Sequence, residues 1–130
     1  MMTENFVIEI ISPSHSVLKS ETEEVTLPSF EGEMGILKDH VPIITFLRPG
    51  IITIKKNNQE KKFFIEEGTV EFSKNNLLVL TSTAKDLSKF SKDEINNLIK
   101  ISEQRIDQQD VNDKERYLLS HKIDVLKQVN

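Results

Sequence analysis

The chain has 130 residues, of which 37% are hydrophobic and 29% charged, as is typical of a small folded protein with one core or of a β domain with an appendage. Its net charge of −4 and the lack of a basic cluster argue against binding to nucleic-acid backbones. The absence of cysteine excludes disulfides and thiolate metal sites and suits a reducing compartment.

The start of the chain is not expected to direct or anchor it in a membrane. Residues 1–11 contain Glu4 and Glu9 and only a short apolar run, whereas a signal peptide has a basic start and a longer apolar centre. No apolar stretch approaches the ~20 residues that span a bilayer. We therefore expect any membrane association to go through a partner.

The first part of the chain, up to about residue 83, has the pattern of short β-strands. Residues 6–11 form a β-rich run closed by Ser12 and Pro13, and residues 24–27 alternate polar with apolar until Pro28 ends the strand. Further strands are predicted at residues 51–55, 62–65, 70–72 and 77–80, separated by turn signals at 49–50, 57–58 and 74–76. Short strands at even spacing, with no helix-length gap, predict a β-sandwich or flattened barrel.

The periodicity becomes helical at Ser91. Ser91 and Glu94 form a capping box, and Asn112 with Glu115 repeats the N-cap pattern. Two apolar stripes follow these caps, at residues 95, 98, 99 and 106 and at residues 118, 119, 123, 126 and 129. The stripes predict an antiparallel two-helix hairpin that depends on packing, because neither helix contains an internal alanine.

The predicted fold is therefore β + α, with an N-terminal β-sandwich or flattened barrel followed by a C-terminal helical hairpin. The boundary is placed in the charged joint at residues 85–89, which divides the chain into a β-sandwich domain at 1–86 and a helical hairpin domain at 87–130.

No catalytic or metal-binding set can be assembled from the sequence. His15, His40 and His121 are far apart and lack metal-ligand spacing, so surface or structural roles are favoured. The aspartates at residues 107, 110 and 113 lack the spacing and the glycine of a calcium loop. We expect a protein that is not an enzyme and that needs no metal or cofactor.

An acidic segment at residues 31–35 is the most distinctive local feature. On an extended chain Glu31 and Glu33 would point to the same face, with Gly32 between them. The segment lacks the glycine spacing of a phosphate-binding loop, and its two acids would repel phosphate. An exposed docking loop and a simple β-turn are equally compatible with these residues.

A longer set of motifs includes this segment. Residues 27–37 read LPSFEGEMGIL, residues 40–45 read HVPIIT and residues 47–50 read LRPG. Downstream, residues 67–72 read EGTVEF and residues 78–81 read LVLT. Over residues 6–84 the sequence resembles the epsilon subunit of the F-type ATP synthase, and the helical tail matches that family in length and layout.

The resemblance implies a non-catalytic subunit of the central stalk. In that family the sandwich joins the gamma subunit, rests on the membrane c-ring and passes torque from proton flow to the catalytic alpha/beta head. The hairpin folds against the sandwich or extends along gamma into the head, where it hinders ATP hydrolysis. The implied location is peripheral, at the cytoplasmic face of the bacterial inner membrane.

The resemblance also assigns roles to individual residues. It implies that Glu31, Glu33 and His40 contact the c-ring, where a carboxylate pair can accept charge-assisted hydrogen bonds. It implies that Ser12 and Thr45 lie on the surface that faces gamma.

Three departures from the family pattern affect these expectations. Lys38-Asp39 replaces a Pro-Gly pair, so we expect Asp39 to adopt the turn conformation that glycine usually provides. Where the family often has two glycines before its penultimate strand, this chain has Glu67-Gly68, so one glycine remains. Ser91 and Glu94 replace the Asp and Arg through which some members bind ATP, and an acid in place of a phosphate-pairing cation predicts no ATP binding.

The charge of the tail predicts only weak inhibition of ATP hydrolysis. From residue 85 onward, nine Lys and Arg residues are balanced by nine Asp and Glu residues, so the tail is not suited to gripping an acidic segment. The alternative function is that of a stand-alone β-sandwich that binds a small ligand or peptide and dimerises through its hairpin.

Overall fold

The computed structural model describes residues 4–130, and the first three residues of the segment tested above for a signal peptide lie outside the described residues. Ten strands are followed by a 3₁₀ turn at Leu87–Lys89 and two α-helices. The strands are β1 Phe6–Ile11, β2 Ser16–Thr22, β3 Glu24–Ser29, β4 Gly32–Leu37, β5 Ile43–Leu47, β6 Gly50–Lys56, β7 Gln59–Ile65, β8 Gly68–Ser73, β9 Asn76–Thr81 and β10 Ala84–Asp86. The helices are α1 Lys92–Ile106 and α2 Asp113–Val129.

The strands form one folded sheet in the order β10-β7-β6-β3-β5-β8-β9-β1-β2, with β4 paired to the other edge of β3. All of the pairs are antiparallel except the parallel pair of β1 and β9. Between β3 and β5 the ladder is reduced to the single pair Ser29 and Leu47. The sheet folds over at this pair, and its two halves enclose the core of the predicted β-sandwich.

The core is built from the alternation of side chains along each strand. In β1, residues 6, 8 and 10 are buried while the residues between them are half-buried. Phe6 meets Phe72 of β8 edge to face, with 5.6 Å between ring centroids. The largest fully buried side chains of this core are Ile8, Ile10, Leu27, Ile36, Leu47, Ile52, Ile65, Phe72 and Leu77.

The predicted strands are confirmed, but four further strands were not predicted. β2, with the sequence SVLKSET, alternates weakly, and β4 contains two glycines, so neither shows a clear β pattern. The residues of β5 were used in the sequence analysis only as part of a family motif. β10 has three residues, too few for a pattern to show. These strands are specified by their pairing with neighbours more than by their own composition.

Pro28 lies inside β3 and does not end it, which corrects the prediction from the sequence. The carbonyl oxygen of Pro28 accepts a hydrogen bond from the backbone N–H of Arg48 at 3.0 Å. The proline nitrogen faces the same side, at the bend between β5 and β6, where the ladder is interrupted. No donor is needed there, so the strand tolerates proline.

The tight turns have the backbone conformation that their residues favour. Asn57 and Asn58 have φ values of 52° and 63°, as a two-residue hairpin turn requires, and this confirms the predicted turn. Lys74 and Asn75, in the turn between β8 and β9, also have positive φ values, of 51° and 58°. Asp39 has a φ of 65°, as expected for the residue that replaces a turn glycine.

Both helices begin at the predicted caps. The hydroxyl of Ser91 accepts from the backbone N–H of Glu94 at 3.1 Å, and the amide oxygen of Asn112 accepts from the N–H of Glu115 at 2.8 Å. In a capping box the carboxylate of Glu94 would accept from the backbone N–H of Ser91. Here it accepts instead from the Ser91 hydroxyl at 3.2 Å. No helix within residues 4–130 is long and apolar enough to cross a membrane.

The antiparallel hairpin docks on the sandwich through a second, smaller core. Phe64 of β7, Phe90, Ile95, Ile99 and Leu126 are buried there, and the rings of the first two lie 5.9 Å apart. Lys122 of α2 also forms an ion pair with Glu66. The packing that the low intrinsic helicity of this segment demands is thus supplied by one face of the sandwich.

Gly68 begins β8 at a point where two backbones approach closely. A Cβ atom at this position would lie 2.5 Å from the carbonyl oxygen of Leu80 and 3.2 Å from Cβ of Thr81. Gly35, by contrast, has nothing within 4 Å of such an atom. Gly68, the glycine that this chain keeps of the pair, is therefore needed because a Cβ atom does not fit at this position.

We predict that Gly68→Ala lowers the free energy of unfolding by about 1–3 kcal/mol, because the backbone of β9 must move. The matched variant Gly35→Ala is expected to change it by less than about 1 kcal/mol. Chemical denaturation of the two variants measures both values. Equal stability of the two variants would contradict the prediction.

A cluster of charges closes the loop between the helices. Arg105 donates to both carboxylate oxygens of Glu115 at 2.8 and 3.0 Å and to Asp110 at 3.0 Å. The hydrogen bond from Arg105 is the main cause that lowers the pKa of Glu115 below 4.5, and the same bond raises the pKa of Arg105. A carboxylate with a lowered pKa stabilises the fold above its unfolded pKa and loses that contribution as the pH falls through the folded value.

We predict that hairpin stability falls as the pH drops below about 4.5, and that Glu115→Gln makes this acid limb shallower. Amide exchange in α1 and α2 between about pH 7 and pH 3 measures the effect. Asp124→Asn is the control, because among residues 4–130 Asp124 has no ion-pair partner. Superimposable acid limbs for Glu115→Gln and the unchanged chain would refute the prediction.

Candidate partner-binding site

The turn between β3 and β4, here called the tip turn, consists of Phe30 and Glu31. It is closed by Gly32, whose φ of 127° is rarely adopted by other residues, and the Ser29 hydroxyl donates to the Gly32 carbonyl at 2.6 Å. Glu31 lies in the turn and Glu33 lies in β4. The two exposed carboxylates therefore do not lie on one extended segment, which is the arrangement considered from the sequence. The segment is a tight hairpin turn with an acidic outer surface.

A groove of about 800 Å³ lies beside the tip turn. It is bounded by the ends of β1, β5, β8 and β9 and by the first turn of α2. Its lining includes Ser12, Phe30, Glu31, Thr45, Leu80 and Lys114. The structure thus brings the residues predicted to face gamma together with one of the residues predicted to contact the c-ring.

Ser12 and Thr45 expose little of themselves to this groove. Ser12 is 9% exposed, and its hydroxyl donates to the carbonyl oxygen of His15 at 3.2 Å. Thr45 is half-buried opposite the buried Val70. Both residues line the groove, but other side chains provide most of its accessible surface.

His40 lies at the opposite end of β4 from the tip turn, apart from Glu31, with which the resemblance grouped it. Its ring packs edge to face on Phe72 with 6.0 Å between centroids, and its Nδ1 lies 2.7 Å from the carbonyl oxygen of Val41. Six residues of β4, roughly 20 Å of extended chain, separate the two positions. The prediction that Glu31, Glu33 and His40 contact one partner stays a prediction.

The connection that contains His40 is fastened to the next hairpin. The side chain of Asn75 accepts from the backbone N–H of Asp39 at 2.7 Å and donates to the Asp39 carboxylate at 2.9 Å. Both residues have positive φ, so this pair joins two turns that are 36 residues apart. The β4–β5 connection is therefore held on the end of β8 and β9.

The sequence analysis missed an exposed apolar surface on the outer side of β5. Ile44 is 77% exposed and Phe46 is 61% exposed, and Leu80 of β9, which follows Thr69 across the sheet, is 45% exposed. Large apolar side chains gathered on one face indicate an interaction site. The alternation of residues 43–47 could have revealed this surface had the segment been recognised as a strand.

The positions that correspond to the ATP motif of some relatives are used for local structure. Ser91 caps α1, and Glu94 lies 3.9 Å from Lys85. The prediction that the chain does not bind ATP stays a prediction. Within residues 4–130, no group of three or more His, Asp or Glu side chains could hold a metal ion.

The chain is thus a β-sandwich with an apolar outer face, an acidic tip and a docked helical hairpin, and its exposed apolar surface indicates an interaction site. Residues 5–86 match the family described as ATP synthase delta/epsilon chain, beta-sandwich domain. The chain is 48% identical to the ATP synthase epsilon chain of Pelagibacter ubique (strain HTCC1062) over 130 residues, which covers 99% of this chain and 100% of that one.

Two solved structures share the fold. A chain in the Euglena gracilis mitochondrial ATP synthase (OSCP/F1/c-ring) has a TM-score of 0.75 and 16% identity, over 98% of this chain and 79% of that chain. A chain in the Tetrahymena thermophila mitochondrial ATP synthase, central stalk and c-ring, has a TM-score of 0.64 and 13% identity, over 98% of both. The protein belongs to the ATP synthase delta/epsilon family, which confirms the resemblance and favours it over a stand-alone binding module.

Proposed function

We propose that the chain is a non-catalytic rotor subunit of an ATP synthase, which couples proton flow through the c-ring to ATP synthesis in the catalytic head. Its location would be peripheral, at the cytoplasmic face of the bacterial inner membrane. The observation that supports this most directly is the apolar outer face of β5, since a surface of this kind is used for contact with another protein.

The apolar outer face is proposed as the surface for gamma. Ile44 and Phe46 supply its accessible area, and Ser12 and Thr45 lie at the neighbouring groove. Burial of large apolar side chains provides most of the free energy of such contacts, at about 1.5–3 kcal/mol for each fully buried side chain.

The tip turn is proposed as the contact with the c-ring. Glu31 in the turn and Glu33 at the start of β4 are both exposed and can accept charge-assisted hydrogen bonds. His40 is left out of this contact because of its distance along β4. The two proposed contacts adjoin at the groove, so one rigid sandwich end can connect the ring with gamma.

We predict that the double variant Ile44→Glu and Phe46→Glu weakens binding to gamma at least about a hundredfold, because two apolar side chains lose their burial and two charges must be desolvated. Co-purification of the tagged full chain with gamma and the catalytic head measures this. Leu37→Glu is the control, since Leu37 is 57% exposed on a different strand. Retention of the partners by the double variant would overturn the proposed surface.

The hairpin is proposed to reach the alpha/beta head but to restrain ATP hydrolysis only weakly. Its charges are balanced, and in the structure it is docked on the sandwich by a buried apolar cluster and the ion pair of Lys122 with Glu66. Each apolar contact must be broken before the hairpin can extend.

We predict that deletion of residues 88–130 raises ATP hydrolysis by the assembled complex less than about twofold, which corresponds to under ~0.4 kcal/mol. The steady-state hydrolysis rate of complexes with the full or shortened chain measures this, and the amount of each chain in the complex is the control. An increase of about tenfold or more would show that the hairpin is a strong inhibitor.

A further inference from the structure

Tyr117 of α2 reaches across the molecule to the tip turn. Its ring stacks on that of Phe30, with 6.0 Å between centroids and 13° between planes. Its hydroxyl accepts a hydrogen bond from Nη1 of Arg48 at 3.1 Å. On its own helix, His121 packs edge to face against the same ring at 4.5 Å. The ring of Tyr117 is thus held on three sides, and one of its contacts is the tip turn itself.

These contacts are separate from both buried cores. Phe30 is 38% exposed and Tyr117 is 39% exposed, and neither belongs to the cluster through which the hairpin docks. The stack therefore adds little to the burial that holds the hairpin in place. It is placed instead where it can restrict the movement of Phe30.

The tip turn has few other restraints. The N–H of Phe30 donates to the carbonyl oxygen of Phe46 over a long 3.3 Å, and the Ser29 hydroxyl bonds to Gly32 within the hairpin. Beyond these bonds and the ladder pair of Ser29 with Gly32, the two residues of the turn lie exposed at the end of the hairpin. A stacked ring on one of its two residues is therefore a substantial part of its support.

The hairpin also forms part of the groove beside the turn. Lys114, one helical turn before Tyr117, lines the groove together with Glu31 and Phe30. The first turn of α2 is thus part of the wall of the groove at this end of the sandwich.

We propose that Tyr117 is a positioning residue for the tip turn, so that the docked hairpin forms part of the partner-binding end of the molecule. This inference rests on the proposed function only for the identity of the partner at the tip. Because coupling is reciprocal, whatever holds the turn in its stacked conformation also favours the docked hairpin by the same factor.

The test is amide hydrogen exchange on the isolated full-length chain. In Tyr117→Ala we expect the amides of residues 30–35 to lose protection by about twofold to tenfold, the range that corresponds to an aromatic pair. The amides of the β8–β9 turn, which is joined to Asp39, should not change. Ile101→Ala is the matched control, since Ile101 is 51% exposed on α1 and belongs to neither core.

Two further variants separate positioning from a general loss of stability. Tyr117→Phe keeps the stacked ring and loses the bond to Arg48, so it should restore most of the protection of residues 30–35. Phe30→Ala should lower the protection of α2 by the same factor by which Tyr117→Ala lowers that of the turn. A tip turn with equal protection in Tyr117→Ala and Ile101→Ala would overturn the inference.

The exchange experiment needs no partner, so it stands apart from the proposed function. If the unchanged chain failed to co-purify with gamma, the proposed function would be wrong while the exchange result still decided the role of Tyr117. If the chain co-purified but the tip turn kept its protection in Tyr117→Ala, only the inference would fail.

Discussion

The structure depends on the fold of the sheet at the single pair between Ser29 and Leu47. β3 pairs with β6 at residues 24–26 and with β5 only at Ser29, and between these two stretches a Cβ atom on Gly50 would overlap with Pro28. Where the chain passes from one half of the sheet to the other, the N–H groups of Phe30 and Arg48 donate to the carbonyl oxygens of Phe46 and Pro28. The tip turn, the groove and the start of β6 all follow within a few residues of this crossing.

The hairpin adds a second level that is weaker than the first. Its helices have modest intrinsic stability and become ordered on Phe64 and its neighbours, outside the main core. The contacts nearest the tip are a half-exposed aromatic stack and a hydrogen bond to Arg48. A helical unit held in this way can be both a support for the sandwich and the part of the molecule that opens at the lowest cost.

The surfaces of the sandwich are divided between its two ends and one face. Ser12, Thr45 and Glu31 meet at one groove, whereas His40 is fixed at the far end beside Phe72 and the Asp39–Asn75 pair. The apolar face of β5 lies between these ends. This arrangement would allow the two proposed partners to contact neighbouring parts of one rigid body.

The amino-acid sequence by itself determined the elements whose signals are local. A β-rich run predicted β1, Asn57-Asn58 predicted a hairpin turn, and Ser91 and Asn112 predicted the starts of the two helices. The motifs of residues 27–50 also indicated the family, although not the distance between Glu31 and His40. Tertiary structure alone decided the weak strands β2 and β4, the groove and the stack of Tyr117 on Phe30. These depend on pairing and packing between residues far apart in the chain, for which no local pattern in the sequence exists.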